Sequence, residues 1–573
     1  MCLRPPIGSD AAAREVQRLT DENKDLAARM LANNTRLNAL APISYLPPEL
    51  LVLIFTLISP SRRSDLKHFR AHPYEASRTH QAWVDWIHVT HVCGHWRRVA
   101  VGDPSLWTVI YCELGPEWTE LLLSRSKSSP IDIVLEQGTH TEALFDQTEP
   151  ASIAVHGQHA KTISIDANVF GAGSSFEALA DQFDDTMPIL EKLELRLAAV
   201  TCIPDGCFCD VPVLKELVLQ NVIPSWTDLL SFSNLVTFIF HVPDLILGSR
   251  LTVPGTLHRS RSEMLPTVAQ LLDALETMRS LEHLSIHDAL PEALPAMVGV
   301  QDQQNRVVSL PRLSVVSLSG PMLDCTSFAG HLDFPCTTFL NLIGNSNDDF
   351  HNDEIYPCIC RTLEKHLARQ QSLSRKINQI NFDMSRPAVE LSLTIASQYI
   401  FRLNVPFLQT AEGRAFLHTV FALLPVGDNA RLSIALEREV ATKFEPAEFE
   451  AIFDQPSLAT ISSVVIGGDT LHPLSPALTC NMPRNDPNFR PPEKLRAFNV
   501  LPGLQDVVLT NIDCVGMMQD NLELLRDEIL NVIRSREDGG WPLRRLGIAY
   551  NPTIPLEWLQ SLKATFPELV IWK

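Results

Sequence analysis

The sequence predicts an α/β chain in which an N-terminal helix and a small helical module precede a curved solenoid with parallel strands. Three observations predict this order. Apolar residues recur every three or four positions from residue 11 to residue 40, two short apolar helices follow, and short strands then alternate with helices to the end. We expect the boundaries 1–45 for the helix, 46–110 for the module and 111–573 for the strands.

Length and charge limit the classes of protein to which the chain can belong. At 573 residues it is too long for one ordinary globular core. A formal charge of −20 argues against a nucleic-acid partner, because a phosphate backbone requires a basic surface. No apolar run approaches the roughly 18 residues of a membrane span, and no apolar signal opens the chain. We therefore expect a cytoplasmic or nuclear protein with no membrane partner and with reduced thiols.

The first helix carries a heptad-like seam whose positions are spaced by three and four residues in turn, as the a and d positions of a coiled coil require. The seam consists of Val16, Leu19, Asn23, Leu26, Met30, Asn33, Leu37 and Leu40. This pattern predicts either a homodimer through residues 11–40 or a solvated helix that folds back on its own chain. The sequence leaves both readings open.

Two apolar helices make up the helical module. The first begins at Leu46-Pro47-Pro48-Glu49, since Pro at the first helical positions and an acid in the first turn are start signals. Its apolar face consists of Leu50, Leu51, Ile54, Phe55 and Ile58. The second predicted helix presents Val89, Val92, Cys93, Trp96 and Val99, before the closing turn at residues 103–107. Residues 59–82 between the helices contain few apolar side chains and are interpreted as a mobile insert.

Short strands of the form L-x-x-L-x-L recur through the rest of the chain. They lie at 190–195, 214–219, 281–286, 313–318, 504–509 and 543–548, with looser copies at 163–165, 238–240, 340–342, 380–382, 434–436, 464–466 and 569–572. The spacing of the first copies falls within the range of roughly 20–29 residues that leucine-rich repeats use. Helices precede many strands, as the capping-box sequence from Thr267 to Gln270 indicates. Insertions are expected at 241–266 and 467–492.

Three sequence blocks in the module resemble the F-box, most closely in the expanded F-box families of basidiomycete fungi. The blocks are 46–55, 92–97 and 103–107, so the resemblance covers about 60 residues of the 573. It implies that the module docks onto a Skp-type adaptor and joins a cullin-based SCF ubiquitin ligase. By the motif, the box and its adaptor contacts are Leu46, Pro47, Leu50, Leu51, Ile54, Phe55, Val92, Cys93 and Trp96. The insert is longer than the family usually shows.

The strands would then hold an unidentified protein substrate. Because every second residue of a strand faces the same side, three alternating triplets are candidates for the substrate surface. They are Lys192, Glu194 and Arg196, then Glu216, Val218 and Gln220, then His283, Ser285 and His287. The alternative function is a repeat scaffold for protein interactions with no ligase role, in which the module only caps the strands.

The sequence offers little support for catalytic or cofactor chemistry. His91 and His95 have a spacing that can chelate zinc, but no complete ligand set follows. The short clusters Cys202/Cys207/Cys209 and Cys358/Cys360 lack a matched second pair. Gly171-Ala172-Gly173 lacks the third glycine of a dinucleotide-binding loop. No recognisable motif brings a nucleophile together with a general base. We therefore expect a protein that is not an enzyme and uses no metal or other cofactor.

Overall fold

A computed structural model describes most of the chain. The described residues are 10–58, 85–136, 156–167, 186–203, 206, 210–243, 265–292, 306–344, 355–386, 388–406, 411–436, 452–468, 474–475, 478, 501–510, 519–538, 541–549 and 555–572. They form two units, Met1–Ala199 with Gly206–Leu214, and Val200–Asp205 with Lys215–Lys573. The predicted insert 59–82, most of both predicted insertions, the glycine pair at 171–173, Cys207 and Cys209 lie outside the described residues.

The described part of the first unit begins with helices and continues into the strands of a parallel sheet. Its helices are α1 (Asp10–Leu40), α2 (Pro48–Ile58), α3 (Gly94–Gly102) and α4 (Pro116–Ser126). Its strands are β1 (Val109–Tyr111), β2 (Ile131–Glu136), β3 (Ala160–Ala167) and β4 (Lys192–Cys202), paired in chain order. α2 starts at Pro48 and carries Glu49 in its first turn, as the start signals predict.

The second helix of the module is not continuous, which corrects the sequence prediction. A short 3₁₀ helix spans Asp85–His91, and the chain then becomes extended at Cys93, with φ −160° and ψ 167°. The Cys93 Sγ accepts a hydrogen bond from the Trp96 backbone N at 3.5 Å and thereby caps α3. His91 and His95 consequently lie on different helices, and the i, i+4 geometry of the zinc hypothesis is lost.

The second unit is built around a long, mainly parallel sheet. Its strands are β5 (Glu216–Ile223), β6 (Thr237–His241), β7 (His283–His287), β8 (Val308–Ser309), β9 (Val315–Gly320), β10 (Leu332–Asp333), β11 (Phe339–Gly344), β12 (Ile377–Arg386), β13 (Ala388–Ile395), β14 (Gln398–Pro406), β15 (Val426–Leu436), β16 (Ser463–Gly468), β17 (Asp506–Thr510), β18 (Arg545–Ile548) and β19 (Val570–Trp572). All the L-x-x-L-x-L segments and their looser copies therefore contribute strands. β8 and β10 form a separate pair.

Helices lie on several of the connections between these strands. They are α5 (Val268–Thr277), α6 (Met322–Gly330), α7 (Ile355–Ser372), α8 (Ala411–Leu423), α9 (Gln519–Asp538) and α10 (Leu556–Thr565). The predicted capping box is present, because the Thr267 Oγ1 accepts from the Gln270 backbone N and the Gln270 side chain accepts from the Thr267 backbone N. Near the C-terminus, the fully buried Arg536 donates to the carbonyls of Leu478, Leu501 and Leu504 at 3.1, 3.2 and 3.4 Å.

The strand order departs from chain order at the centre of this sheet. The observed order is β5-β6-β7-β9-β11-β14-β13-β12-β15-β16-β17-β18-β19. β13 runs antiparallel to both neighbours, so β12, β13 and β14 form a meander in which β14 pairs with β11 and β12 with β15. Two antiparallel pairings, β12 with β13 and β13 with β14, therefore interrupt the parallel sheet, which the spacing of the L-x-x-L-x-L segments does not predict.

The hairpin between β13 and β14 turns through Ala396 and Ser397, whose φ values are 49° and 67°. Positive φ at both turn residues favours Asn-Gly. We predict that Ala396→Asn with Ser397→Gly raises the free energy of unfolding by about 1 kcal/mol, because both replacements relieve backbone strain. Urea denaturation measures this change. The control pair Ala396→Val with Ser397→Val should lower stability, and equal stability of the two double variants would contradict the turn conformation.

Candidate functional site

Helix α2 has a buried apolar face that builds the helical module. Leu51 and Phe55 are fully buried, and the Phe55 ring packs against the Trp96 ring of α3 with centroids 5.1 Å apart. Burial of two such side chains stabilises the helix pair by several kcal/mol, at about 2 kcal/mol each. Leu51 and Phe55 therefore cannot touch a partner, which corrects their assignment as contact residues.

A second apolar stripe on α2 faces solvent. Leu50, Leu53 and Leu57 are 45%, 57% and 79% exposed and lie at i, i+3 and i+7, so they share one side of the helix. Ile54, beside them, is half-buried. Sequence reasoning missed Leu53 and Leu57, although their spacing from Leu50 was the available signal. A contiguous apolar stripe of this kind is typical of a surface that another protein covers.

The remaining predicted docking residues divide by exposure. Pro47 and Val92 are exposed, with Val92 at the break between the 3₁₀ helix and α3. Leu46, Cys93 and Trp96 are half-buried. Cys93 serves as a helix cap and Trp96 supports Phe55, so both act mainly within the module. The residues left for direct contact are Pro47, Leu50, Ile54 and Val92.

Trp107 fixes the module to the helix that follows it. Its ring is fully buried, and its Nε1 donates to the Ala100 carbonyl at 2.7 Å. Trp86 packs edge-on against it at 4.9 Å, and the Arg125 guanidinium of α4 lies 4.2 Å from the ring centroid. Burial, and then the like charge of Arg97, lower the pKa of Arg125. These contacts hold the module's helices rigidly, which is what a docking surface requires.

Two of the three predicted substrate triplets lie close together on the second unit. β6 separates β5 from β7, and the register places Glu216, Thr237 and His283 in one row and Gln220, His241 and His287 in another. These rows are half-buried, whereas Val218 and Ser285 between them are buried. The middle member of each triplet is therefore hidden. Sequence reasoning missed the β6 residues, which the register inserts between the triplets at roughly 5 Å strand spacing.

The third triplet belongs to the first unit and forms an ion-paired group. Arg196 Nε lies 2.9 Å from one Glu194 oxygen, and Lys192 Nζ lies 3.7 Å from the other. The Glu194 side chain is only 7% exposed. Its carboxylate is thus held between two cations, so we expect a charge reversal at Glu194 to destabilise the fold.

The titratable groups near these surfaces are tuned by burial. Burial lowers the pKa of His283 and, together with the neighbouring His241, that of His287, whose Nε2 lies 2.6 Å from the Ser285 Oγ. Burial likewise lowers the pKa of His366 to about 4, and the His366 Nε2 lies 3.0 Å from the Ile400 carbonyl. These groups are neutral at pH 7 and make local contacts. Burial also raises the pKa of Cys360 to about 11, so its thiol stays protonated.

Two further findings concern ligands and membranes. Across the part of the chain that the structure describes, no three His, Cys, Asp or Glu side chains are placed to hold a metal ion together. Within the same residues, no helix combines the length and apolar character that crossing a membrane requires. Comparison of the sequence with protein-family models and with curated proteins gave no match.

The ion-paired group allows a direct test of its structural role. We predict that Glu194→Arg lowers the free energy of unfolding by about 3 kcal/mol, because it replaces a buried carboxylate with a third cation beside the half-buried Lys192 and Arg196. Glu216→Arg, the same change on a half-buried strand position, should cost less than about 1 kcal/mol. Urea denaturation followed by circular dichroism compares the two. Equal losses of unfolding free energy in the two variants would contradict a stabilising role of the Glu194 ion pairs.

Proposed function

We propose that this protein is the substrate-recognition subunit of an SCF-type ubiquitin ligase, with no catalytic chemistry of its own. Residues 46–110 act as an F-box that binds a Skp-type adaptor, and the strands of the repeat-like region hold a protein substrate. The observation that carries the proposal is the exposed stripe of Leu50, Leu53 and Leu57 on a helix whose opposite apolar face is already buried. A solvated helix has no need of that second stripe.

The F-box resemblance and this stripe support the proposal independently. The resemblance rests on three sequence blocks, whereas the stripe rests on exposure and includes Leu53 and Leu57, which the motif comparison did not single out. Both point to the same helix. The adaptor would bury the stripe, at about 25 cal/mol for each Å² of apolar surface removed from water. Val92, exposed at the start of the second block, is suited to extend that contact.

A substrate-recognition subunit brings its substrate close to the ubiquitin carrier and needs no catalytic groups of its own. An adaptor-bound substrate meets a charged ubiquitin carrier at high effective concentration, so a bimolecular encounter becomes effectively intramolecular. Such a subunit needs one rigid docking surface and one recognition surface. The contacts around Trp107 supply rigidity to the first, and the β5–β7 rows supply polar and imidazole groups to the second.

Adaptor binding is the first test. We predict that Leu50→Asp with Leu53→Asp abolishes co-purification with a Skp-type adaptor, because two carboxylates would be buried without partners in an apolar interface. Both side chains are exposed, so the fold should survive. Co-expression followed by affinity purification and size-exclusion chromatography measures the complex.

Arg98→Asp provides the control, since Arg98 is exposed in the module on α3 and belongs neither to the stripe nor to the predicted docking residues. This variant should bind the adaptor like the wild type. Binding that persists in the double Asp variant would exclude the stripe as the docking surface. If the wild-type chain itself fails to bind any Skp-type adaptor, the scaffold function without a ligase role is the better account.

Substrate binding is the second test and uses the Leu50→Asp, Leu53→Asp variant, which should bind its substrate without releasing it for degradation. Blocking adaptor binding should leave a substrate bound but no longer degraded, so proximity labelling should enrich it with the Leu50→Asp, Leu53→Asp chain. Adding Glu216→Arg and His283→Glu, in one row of the β5–β7 surface, should remove that labelling at least tenfold, since charge mismatch in a recognition surface is costly. Arg312→Glu, exposed in the turn before β9, is the control. An unchanged set of labelled proteins would place the substrate elsewhere.

A further inference from the structure

The N-terminal helix has an apolar seam that is exposed to solvent and that no described residue of its own chain covers. α1 contains 31 residues, none of them buried, and is therefore about 47 Å long at 1.5 Å per residue. The six apolar seam residues are 45–70% exposed, from Leu19 to Leu40 at the two extremes. Most helices in proteins gain their stability by packing an amphipathic face. Among the described residues, the seam of α1 has no such packing.

We propose that α1 pairs with α1 of a second copy of this chain as a two-stranded coiled coil. The eight seam positions alternate by three and four residues without interruption over residues 16–40. The helix is continuous through all of them, from Asp10 to Leu40. A knobs-into-holes pair needs this spacing on both strands, and a second copy supplies it without any further requirement.

The two seam asparagines identify the occupant as a second copy. An amide that is buried against apolar side chains loses its hydrogen bonds to water, so Asn23 and Asn33 each need a polar group opposite. Two copies of this chain in register place Asn opposite Asn at both layers. Because Asn23 and Asn33 lie equally far from the seam ends at 16 and 40, this match holds for parallel and antiparallel pairing. A parallel pair that slips by one heptad would bury both asparagines against apolar residues.

The charges beside the seam do not oppose pairing. Arg18 is ion-paired with Glu15 and Glu22 at 2.9 and 3.2 Å, and Arg29 with Asp25 at 3.1 Å. These pairs lie within one helix and off the seam positions, so they stabilise the helix itself by a few tenths of a kcal/mol each. On the opposite flank, the e positions Thr20 and Ala27 are small and uncharged, which lets a partner approach closely.

Pairing would double the recognition surfaces of the assembly. Two linked copies bind a substrate with two recognition elements more tightly than either copy alone, through effective concentration. This consequence rests on the proposed function, whereas the pairing itself does not. The test below uses the purified full chain without an adaptor, so its failure and a failure of adaptor binding are separate results.

Light scattering of the full chain at micromolar concentration measures the pairing. We expect the wild type at twice its chain mass of 63.9 kDa, and Leu19→Asp with Leu26→Asp at the mass of one chain. The control carries the same two added charges at outward positions of the same helix, as Ala28→Asp with Thr35→Asp, and should remain at twice the chain mass. In thermal unfolding, the transition that follows the loss of α1 should occur at the same temperature in all three proteins, because none of the substituted residues is buried.

Several results would overturn the proposal. A wild-type mass of one chain excludes the second copy, and a control that dissociates like the seam variant excludes the seam. The double variant Asn23→Leu, Asn33→Leu tests the two positions at which asparagine is proposed to face asparagine. We expect this variant to associate at least tenfold more tightly and to include assemblies of more than two copies, because seam asparagines lower stability while they fix register and number. Weaker association of this variant would contradict Asn facing Asn.

Discussion

The alternation of side chains along each strand is the constraint on which this structure depends. Leu217, Phe238, Leu284, Val316 and Leu340 occupy one register row across five neighbouring strands, and each is buried. The row two residues further along is apolar as well. Because successive side chains point to opposite sides, burying these rows leaves the intervening rows on the other side of the sheet. The surface proposed for substrate recognition thus follows directly from the packing of the core.

The helical module illustrates the same separation between packing and recognition on a helix. Successive residues of a helix are rotated by about 100°, so Leu51 and Phe55 can fill the module while Leu50, Leu53 and Leu57 stay in solvent on another side of α2. Motif comparison groups Leu50 with Leu51 and Phe55 because all of them are apolar. Only exposure separates the residues that hold the module from those able to hold a partner. The same distinction divides the strand triplets, whose central residues Val218 and Ser285 are hidden.

Several features were not accessible to sequence reasoning, for identifiable physical reasons. The hairpin at Ala396-Ser397 contains neither Asn nor Gly, the residues that usually indicate two positive φ values, so the β12–β14 meander resembled one more repeat. The break at Cys93 was hidden because a cysteine thiol is an unusual helix cap and its neighbours keep a helical apolar spacing. The burial of Glu194 depends on two cations and on the neighbouring strand, neither of which an alternating pattern reveals.

The sequence by itself determined which segments become strands and helices, because hydrophobic periodicity and capping residues act over a few neighbouring positions. It also determined the seam of α1, which needs only spacing along one helix. The tertiary structure alone decided the strand order at the meander, the residues of β6 that complete the recognition rows, and the side of α2 that remains exposed. Those outcomes depend on which distant segments pack together, and the free energy of such contacts is absent from any local window of sequence.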